Sequence, residues 1–368
     1  MGQNLRLDGI DILRGLAVIG VVIYHFFALL DLTQKGIFPY IHAFGILGVP
    51  LFFIISGYLI YRSIDNTVSK RGNKRGVINY FLHRFFRIVP AYYFNLFAVL
   101  IIAALILDSN FLYSKSFLKQ ILTNLTFTSY FIHKASGFGF NGAYWTLNIE
   151  MLWYLIAPLI FFYIKQVRAL LFLAVMSFIY LWSIDQGLLD SFFGLNKESA
   201  SYGLEHFYLS TQLPGQISYF ISGILIYRYA LKPSFHRNTI YFLVALLIAL
   251  FVGVLGHTGM SSSLLTNQLL TLLVTIPLFI LLYATKIRGF KFLEWIGKIS
   301  YSLYLWHMPI LLVMKKTSVL THLSLTAATA VFLIVLFAVS SMSYYLVEEG
   351  GFQLRKRVEA KVKKKLVQ

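Results

Sequence analysis

The chain has 368 residues, no cysteine, 58% hydrophobic content and only 12% charged residues, yet its formal net charge is +18. A soluble domain is about half apolar and a quarter charged, so this composition excludes an ordinary soluble protein, and the 17% aromatic content excludes disorder. The missing cysteines exclude a disulfide scaffold, thiolate metal sites and a cysteine nucleophile. What remains is an integral membrane protein.

Taken in chain order, ten stretches are apolar enough to cross a bilayer as helices: 10–30, 44–62, 88–107, 144–164, 168–185, 211–229, 238–256, 267–285, 292–314 and 324–347. The runs are continuous rather than alternating, which argues against a β-barrel. The fold class is therefore all-α, a polytopic membrane bundle of about ten helices. The basic residues then read as topology. With a cytoplasmic N-terminus, 23 Lys/Arg fall on the inner side and 7 on the outer, alternating from loop to loop. Both termini are expected in the cytoplasm. Loops 31–43, 108–143 and 186–210 face outward, and 63–87 is the one long inner loop. The basic segment 351–368 is a tail that touches anionic lipid. No internal repeat is evident, and residues 1–350 form one membrane domain.

Ionisable groups inside a membrane are costly, so each is a candidate for function. Of the 14 acids only Glu150 lies well within a span, and of nine histidines only His25 and His307 do. Counted from the outer helix ends, these three sit at depths of roughly 8–10 Å. Three helices thus bring their deep ionisable groups to one level, which suits a catalytic layer. A His–Glu pair can also simply hold a bundle together, and Trp306-His307 also suits an interfacial aromatic belt. Arg14 and His25 are eleven residues apart and share a helix face. Ser300, Tyr304 and His307 share another. At the inner mouth, Arg14, Arg84 and Arg87 suit phosphate recognition, although positive-inside anchoring accounts for most basic residues here. No cluster suggests a metal site, and no recognition motif supports nucleic-acid binding.

These residues sit in strings that resemble membrane acyltransferase family 3, the enzymes that O-acylate bacterial surface glycans. IDILRGLAVIGVVIYHF resembles its first-span motif, with Arg14 and His25 in the matching places. GVPLFFIISGYLI (48–60) resembles its second-span motif. HRFFRIVPAYY (83–93) resembles its Arg-Arg-x-x-Arg motif, with His83 for the first arginine. YWTLNIEMLWYLIAP (144–158) carries Glu150 in place and Thr146 for a serine, and IGKISYSLYLWHMPI (296–310) includes His307. Glu348 and Glu349 are followed by Gly350-Gly351, where many members have a proline nearby. Some members add an outer esterase-like domain, which a chain of this length is not expected to hold.

The resemblance implies transfer of an acyl group, acetyl above all, to a hydroxyl of a surface glycan or its lipid-linked precursor. It places the protein in the bacterial inner membrane. The donor would be a cytoplasmic acyl-CoA such as acetyl-CoA, a substrate rather than a permanent cofactor, with Arg14, Arg84 and Arg87 holding its phosphates. His25 would act as base and Glu150 would orient it, while Tyr301, Tyr304 or His307 would polarise the thioester carbonyl. Direct transfer and an acyl-His25 intermediate both fit. A transporter or flippase for a lipid-linked glycan is the rival reading. A glycan polymerase is disfavoured, because loop 108–143 carries no acid except Asp108.

Overall fold

The computed structural model describes residues 5–34, 36–106, 115–131, 141–199, 201–229, 263–284 and 290–365, with a few positions between 239 and 250. Among these residues every regular element is helical. In order they are α1 (Leu5–Leu29), α2 (Phe38–Ile46), α3 (Gly48–Arg71), α4 (Asn73–Ile106), α5 (Lys115–Leu125) and α6 (Tyr144–Tyr163). Then come α7 (Val167–Asp185), α8 (Asp190–Phe193), α9 (Tyr202–Ser210), α10 (Leu213–Tyr229) and α11 (Leu264–Ala284). The last are α12 (Lys291–Lys298), α13 (Ser300–Lys316), α14 (Val319–His322), α15 (Leu325–Ser343), a π turn (Tyr344–Glu348) and α16 (Glu349–Lys365).

Among the described residues, seven stretches are long and apolar enough to span a membrane: Gly9–Leu29, Phe38–Arg71, Asn73–Leu105, Tyr144–Tyr163, Val167–Asp185, Leu264–Tyr283 and Leu325–Glu359. Of the other three expected spans, 211–229 is the 17-residue helix α10. The span 292–314 is divided at Ile299 into α12 and α13. The span 238–256 lies largely outside the described residues.

Connections read from sequence as loops are substantially helical. In 63–87, α3 continues to Arg71 and α4 starts at Asn73, with Gly72 (φ +74°) as the only break. Glycine enters that left-handed conformation without steric cost. Arg84 and Arg87 therefore lie inside a 34-residue helix rather than at the start of a span. Likewise α2 begins in 31–43 and runs on to Ile46, while α5 falls in 108–143, and α8 and α9 in 186–210. The segment 351–368, expected as a tail, continues as helix to Lys365.

The chain forms two compact units. The first comprises Met1–Tyr24, Gln34–Ser63 and Leu155–Lys298; the second comprises His25–Thr33, Ile64–Tyr154 and Ile299–Gln368. In the first, α7 packs against α10 and α11. Two glycines set the approach of α3 to α10: a Cβ at Gly57 would strike the Phe220 carbonyl, and one at Gly223 the Ile54 carbonyl. Small residues let helix backbones approach where lipid supplies no hydrophobic drive between helices. Gly297 meets the Asp11 carbonyl of α1 in the same way. Buried polar groups join the helices further: Gln268 donates to the Gly215 carbonyl (2.7 Å) and the Ser218 hydroxyl (2.6 Å). Asp185 caps the start of α11, accepting from the backbone N–H groups of Leu264 (2.8 Å) and Leu265 (3.0 Å).

In the second unit α4 is the spine, against which α13, the π turn and α16 pack, while α15 packs against α13. A clasp joins α16 to the first turns of α4. The Glu359 carboxylate meets His83 Nε2 at 2.9 Å, Arg355 Nε at 3.4 Å and Arg71 at 3.5 Å.

Candidate active site

The second unit gathers most of the sequence-predicted residues. His25 is half-buried near the end of α1. Its short segment is held on both sides: the Phe26 ring lies 5.1 Å from Phe332 of α15, and Asp31 pairs with Lys315 of α13 at 3.0 Å. His307 projects from α13 and is completely buried. Its Nε2 is 3.3 Å from His25 Nδ1, with ring centroids 5.1 Å apart.

The partners of the pair fix its protons. His307 Nδ1 is 2.7 Å from the Tyr304 carbonyl, which can only accept, so that nitrogen carries a hydrogen. In neutral His307 Nε2 then accepts, and His25 Nδ1–H donates to it. The lone pair of His25 falls on Nε2. One imidazole thereby sets the tautomer of the other, the role a carboxylate plays in a triad.

Tyr304 lies one turn before His307. Its hydroxyl is 2.8 Å from Thr146 Oγ1, and Thr146 in turn donates to the Ala143 carbonyl (3.1 Å). With the threonine hydrogen so used, Tyr304 donates to Thr146. Tyr301 donates to the Ile88 carbonyl (3.1 Å). The threonine that replaces the motif serine thus anchors α6 to α13.

Glu150 lies one turn after Thr146 on α6 and accepts a 2.7 Å hydrogen bond from Tyr154. It also interacts electrostatically with Tyr80, Tyr301 and Tyr304. Arg84 continues this line: its guanidinium lies 5.6 Å from the Tyr154 ring centre and 5.9 Å from that of Tyr80. Its buried Nε makes no hydrogen bond among the described residues. Arg87 interacts electrostatically with Tyr154 and Tyr344. A continuous chain of polar contacts and interacting groups therefore runs from the two arginines through Tyr154 and Glu150 to Tyr304, His307 and His25. Arg14 belongs to the first unit, where it is half-buried on α1.

Two features lay beyond the sequence reading. Asn95 and Asn141, both completely buried, donate to one acceptor, the Leu305 carbonyl, at 3.2 and 2.9 Å. Pro309 explains the need: it occupies the position whose N–H would otherwise serve that carbonyl. Left alone, a buried orphan would cost about 1–3 kcal/mol. The same pattern recurs on α6, where Pro158 frees the Tyr154 carbonyl and Tyr80 donates to it at 3.1 Å. A Pro with its i−4 carbonyl inside a span was a readable signal, but the donor was not. Glu348, which the sequence reading named with Glu349 beside Gly350-Gly351, is 2% exposed at the end of the π turn and accepts from Ser302 at 2.6 Å. No group of three or more potential metal ligands occurs among the described residues.

Fold and site together define a multi-pass helical membrane protein with a histidine pair, one ring completely buried and the other half-buried, backed by a tyrosine–glutamate–arginine chain. The comparisons with known proteins make the class specific. Residues 7–346 match the family described as an acyltransferase domain, and the chain belongs to that family. It is 27% identical over 355 residues to the peptidoglycan O-acetyltransferase OatA of Listeria monocytogenes, covering 83% of this chain and 49% of that protein. It is 27% identical over 332 residues to the O-acetyltransferase OatA of Staphylococcus aureus (strain NCTC 8325 / PS 47), covering 83% of this chain and 50% of that protein. A third relative is the candidate acetyltransferase ORF330 of Acidianus two-tailed virus, 26% identical over 300 residues, with 80% and 81% of the two chains covered. The chain thus spans about half the length of the two OatA proteins. No solved structure matches it.

Proposed function

We propose that the protein transfers an acetyl group from acetyl-CoA to a hydroxyl of a surface glycan or its lipid-linked precursor. Family membership and the O-acetyltransferase relatives support the reaction type and a carbohydrate acceptor. The observation that carries the reading is the His25–His307 pair, because it leaves a lone pair on His25 Nε2 at neutral charge. In the proposed step the acceptor oxygen attacks the thioester carbonyl carbon while its proton passes to His25 Nε2. The C–O ester bond forms, the C–S bond breaks, and the thiolate recovers that proton as the thiol of CoA. His307 keeps its hydrogen bond to His25 throughout, and Glu150 supplies a negative charge in the same unit against the transient imidazolium.

The donor phosphates would meet Arg84 and Arg87, whose guanidinium groups suit phosphate oxygens. In this reading the Lys/Arg-rich side of the chain faces the cytoplasm, where acyl-CoA resides, and the protein lies in the bacterial inner membrane.

The test uses the full chain in lipid nanodiscs with radiolabelled acetyl-CoA and carbohydrate acceptors, peptidoglycan fragments among them. Label is expected in the carbohydrate, and His25→Ala is expected to lower its rate at least 100-fold. Wild-type turnover by His25→Ala removes the histidine from the mechanism. A wild-type protein that consumes no thioester with any acceptor removes the reaction.

A further inference from the structure

His307 lies between Leu305 and Pro309, in the turn of α13 whose backbone hydrogen bond the proline deletes. Such a turn is where a helix bends, yet it carries the imidazole that orients His25. The Leu305 carbonyl is held instead from two other parts of the second unit, by Asn95 of α4 and by Asn141 just before α6. Neither asparagine is free to rotate away. Asn95 Oδ1 accepts from the Tyr144 hydroxyl at 2.7 Å and from Asn141 Nδ2 at 3.2 Å. Asn141 Oδ1 accepts from the Ala143 N–H at 3.0 Å. Both amides have their oxygen and nitrogen ends assigned by these partners, and the carbonyl receives a donor for each of its lone pairs. The network is completely buried, so it holds one arrangement.

We infer that Asn95 and Asn141 are positioning residues for acyl transfer: by holding the proline-freed carbonyl of Leu305 they fix the turn that aims His307 Nε2 at His25 Nδ1. The inference rests on the acyl-transfer reading of the histidine pair. A side chain that acts only by positioning changes the fraction of correctly aimed base, not donor affinity. Loss of the network therefore appears in kcat and leaves the KM for acetyl-CoA in place. One donor suffices to occupy the carbonyl, so the single variants are milder than the double.

The experiment compares wild type, Asn95→Ala, Asn141→Ala and the double variant as full chains in nanodiscs, each matched for monodisperse elution. Acetyl-CoA turnover is expected to show a 10- to 100-fold lower kcat for the double variant, with KM within twofold. A second readout needs no turnover: carbethoxylation of His307 by diethyl pyrocarbonate, followed by peptide mass mapping. It is expected to be at least fivefold faster in the double variant. In a Pro309→Ala background the backbone N–H returns, and removing both asparagines is expected to cost less than threefold in kcat. Unchanged His307 labelling with kcat within twofold overturns the inference, as does an equal loss with and without Pro309. If the double variant does not fold, Asn141→Ala alone decides, with a 3- to 10-fold kcat loss expected and none overturning the inference. If wild type turns over no thioester, the acyl-transfer reading falls, and the labelling still reports on the positioning.

Discussion

His307 Nε2 stands 3.3 Å from His25 Nδ1, and the other ring nitrogen of His307 is tied to the carbonyl of Tyr304 in its own helix. The consequence is directional. If His25 is the base, as proposed, donating its Nδ1–H to a neutral His307 leaves the lone pair on its other ring nitrogen. The second histidine is fully buried, and in the proposed mechanism it orients the first.

Removing His307 should therefore damage turnover without touching donor affinity. His307→Ala is expected to lower kcat about 100-fold, the low end for loss of acid–base function, with the KM for acetyl-CoA within twofold. His307→Gln retains an amide oxygen that can accept from His25 Nδ1, and it is expected to recover at least tenfold of that loss. Steady-state kinetics on the three proteins checks the order; equal rates for Ala and Gln would remove the tautomer argument.

Arg84 makes the opposite prediction. Its guanidinium lies beside the rings of Tyr80 and Tyr154 and keeps a buried Nε donor unspent among the described residues. Lysine preserves the charge but neither the planar stacking nor the forked donors. Arg84→Lys is expected to raise the KM for acetyl-CoA about tenfold, roughly 1.4 kcal/mol of uniform binding, and to leave kcat within twofold. Competition by adenosine 3′,5′-bisphosphate should weaken by the same factor; an unchanged inhibition constant would take Arg84 out of the phosphate site.

The reason some of this site was legible and some was not is physical. His25, Glu150 and His307 stand out because ionisable groups are rare in apolar spans, so depth along the chain was enough to pick them. Asn95 and Asn141 carry no charge, and their shared partner is a backbone carbonyl about 160 to 210 positions away in sequence, which no local pattern shows. The helical class followed from continuous apolar runs. Boundaries failed where helices run beyond the apolar stretch, as α3 and α4 do through 63–87, because charged residues favour helix as readily as loop. The division at Ile299 was hidden inside an unbroken apolar pattern.

Packing in the first unit yields a prediction independent of chemistry. A Cβ at Gly57 or Gly223 would fall on a carbonyl of the facing helix, whereas one at Gly203 of α9 meets nothing within 4 Å. Gly57→Ala and Gly223→Ala are each expected to cost about 1–3 kcal/mol by overpacking. They should lower the recovered monodisperse fraction on fluorescence-detected size exclusion. Gly203→Ala should match wild type. A Gly57→Ala protein as stable as Gly203→Ala would mean that α3 and α10 do not approach through these glycines.

The π turn ends on a buried acid, and its bond to Ser302 can be measured. Ser302 Oγ is 2.6 Å from Glu348 and 3.2 Å from the Ser343 hydroxyl, so its single hydrogen serves the carboxylate at the shorter distance. Mutating either partner alone leaves the other buried group short of a bond, and mutating both removes the mismatch. Glu348→Leu and Ser302→Ala should each lower the unfolding midpoint in detergent, and the pair should be less than additive. The expected coupling is about 1.5–3 kcal/mol, the range for a hydrogen bond to a charged group. Additive losses would show that Glu348 draws its stability from partners other than Ser302. Because π turns inside helices gather at functional positions, the same variants should be assayed for acetyl transfer. A kcat loss in Glu348→Leu that exceeds the loss in Ser302→Ala at equal stability would mark the carboxylate itself, and not its hydrogen bond, as the group that turnover requires.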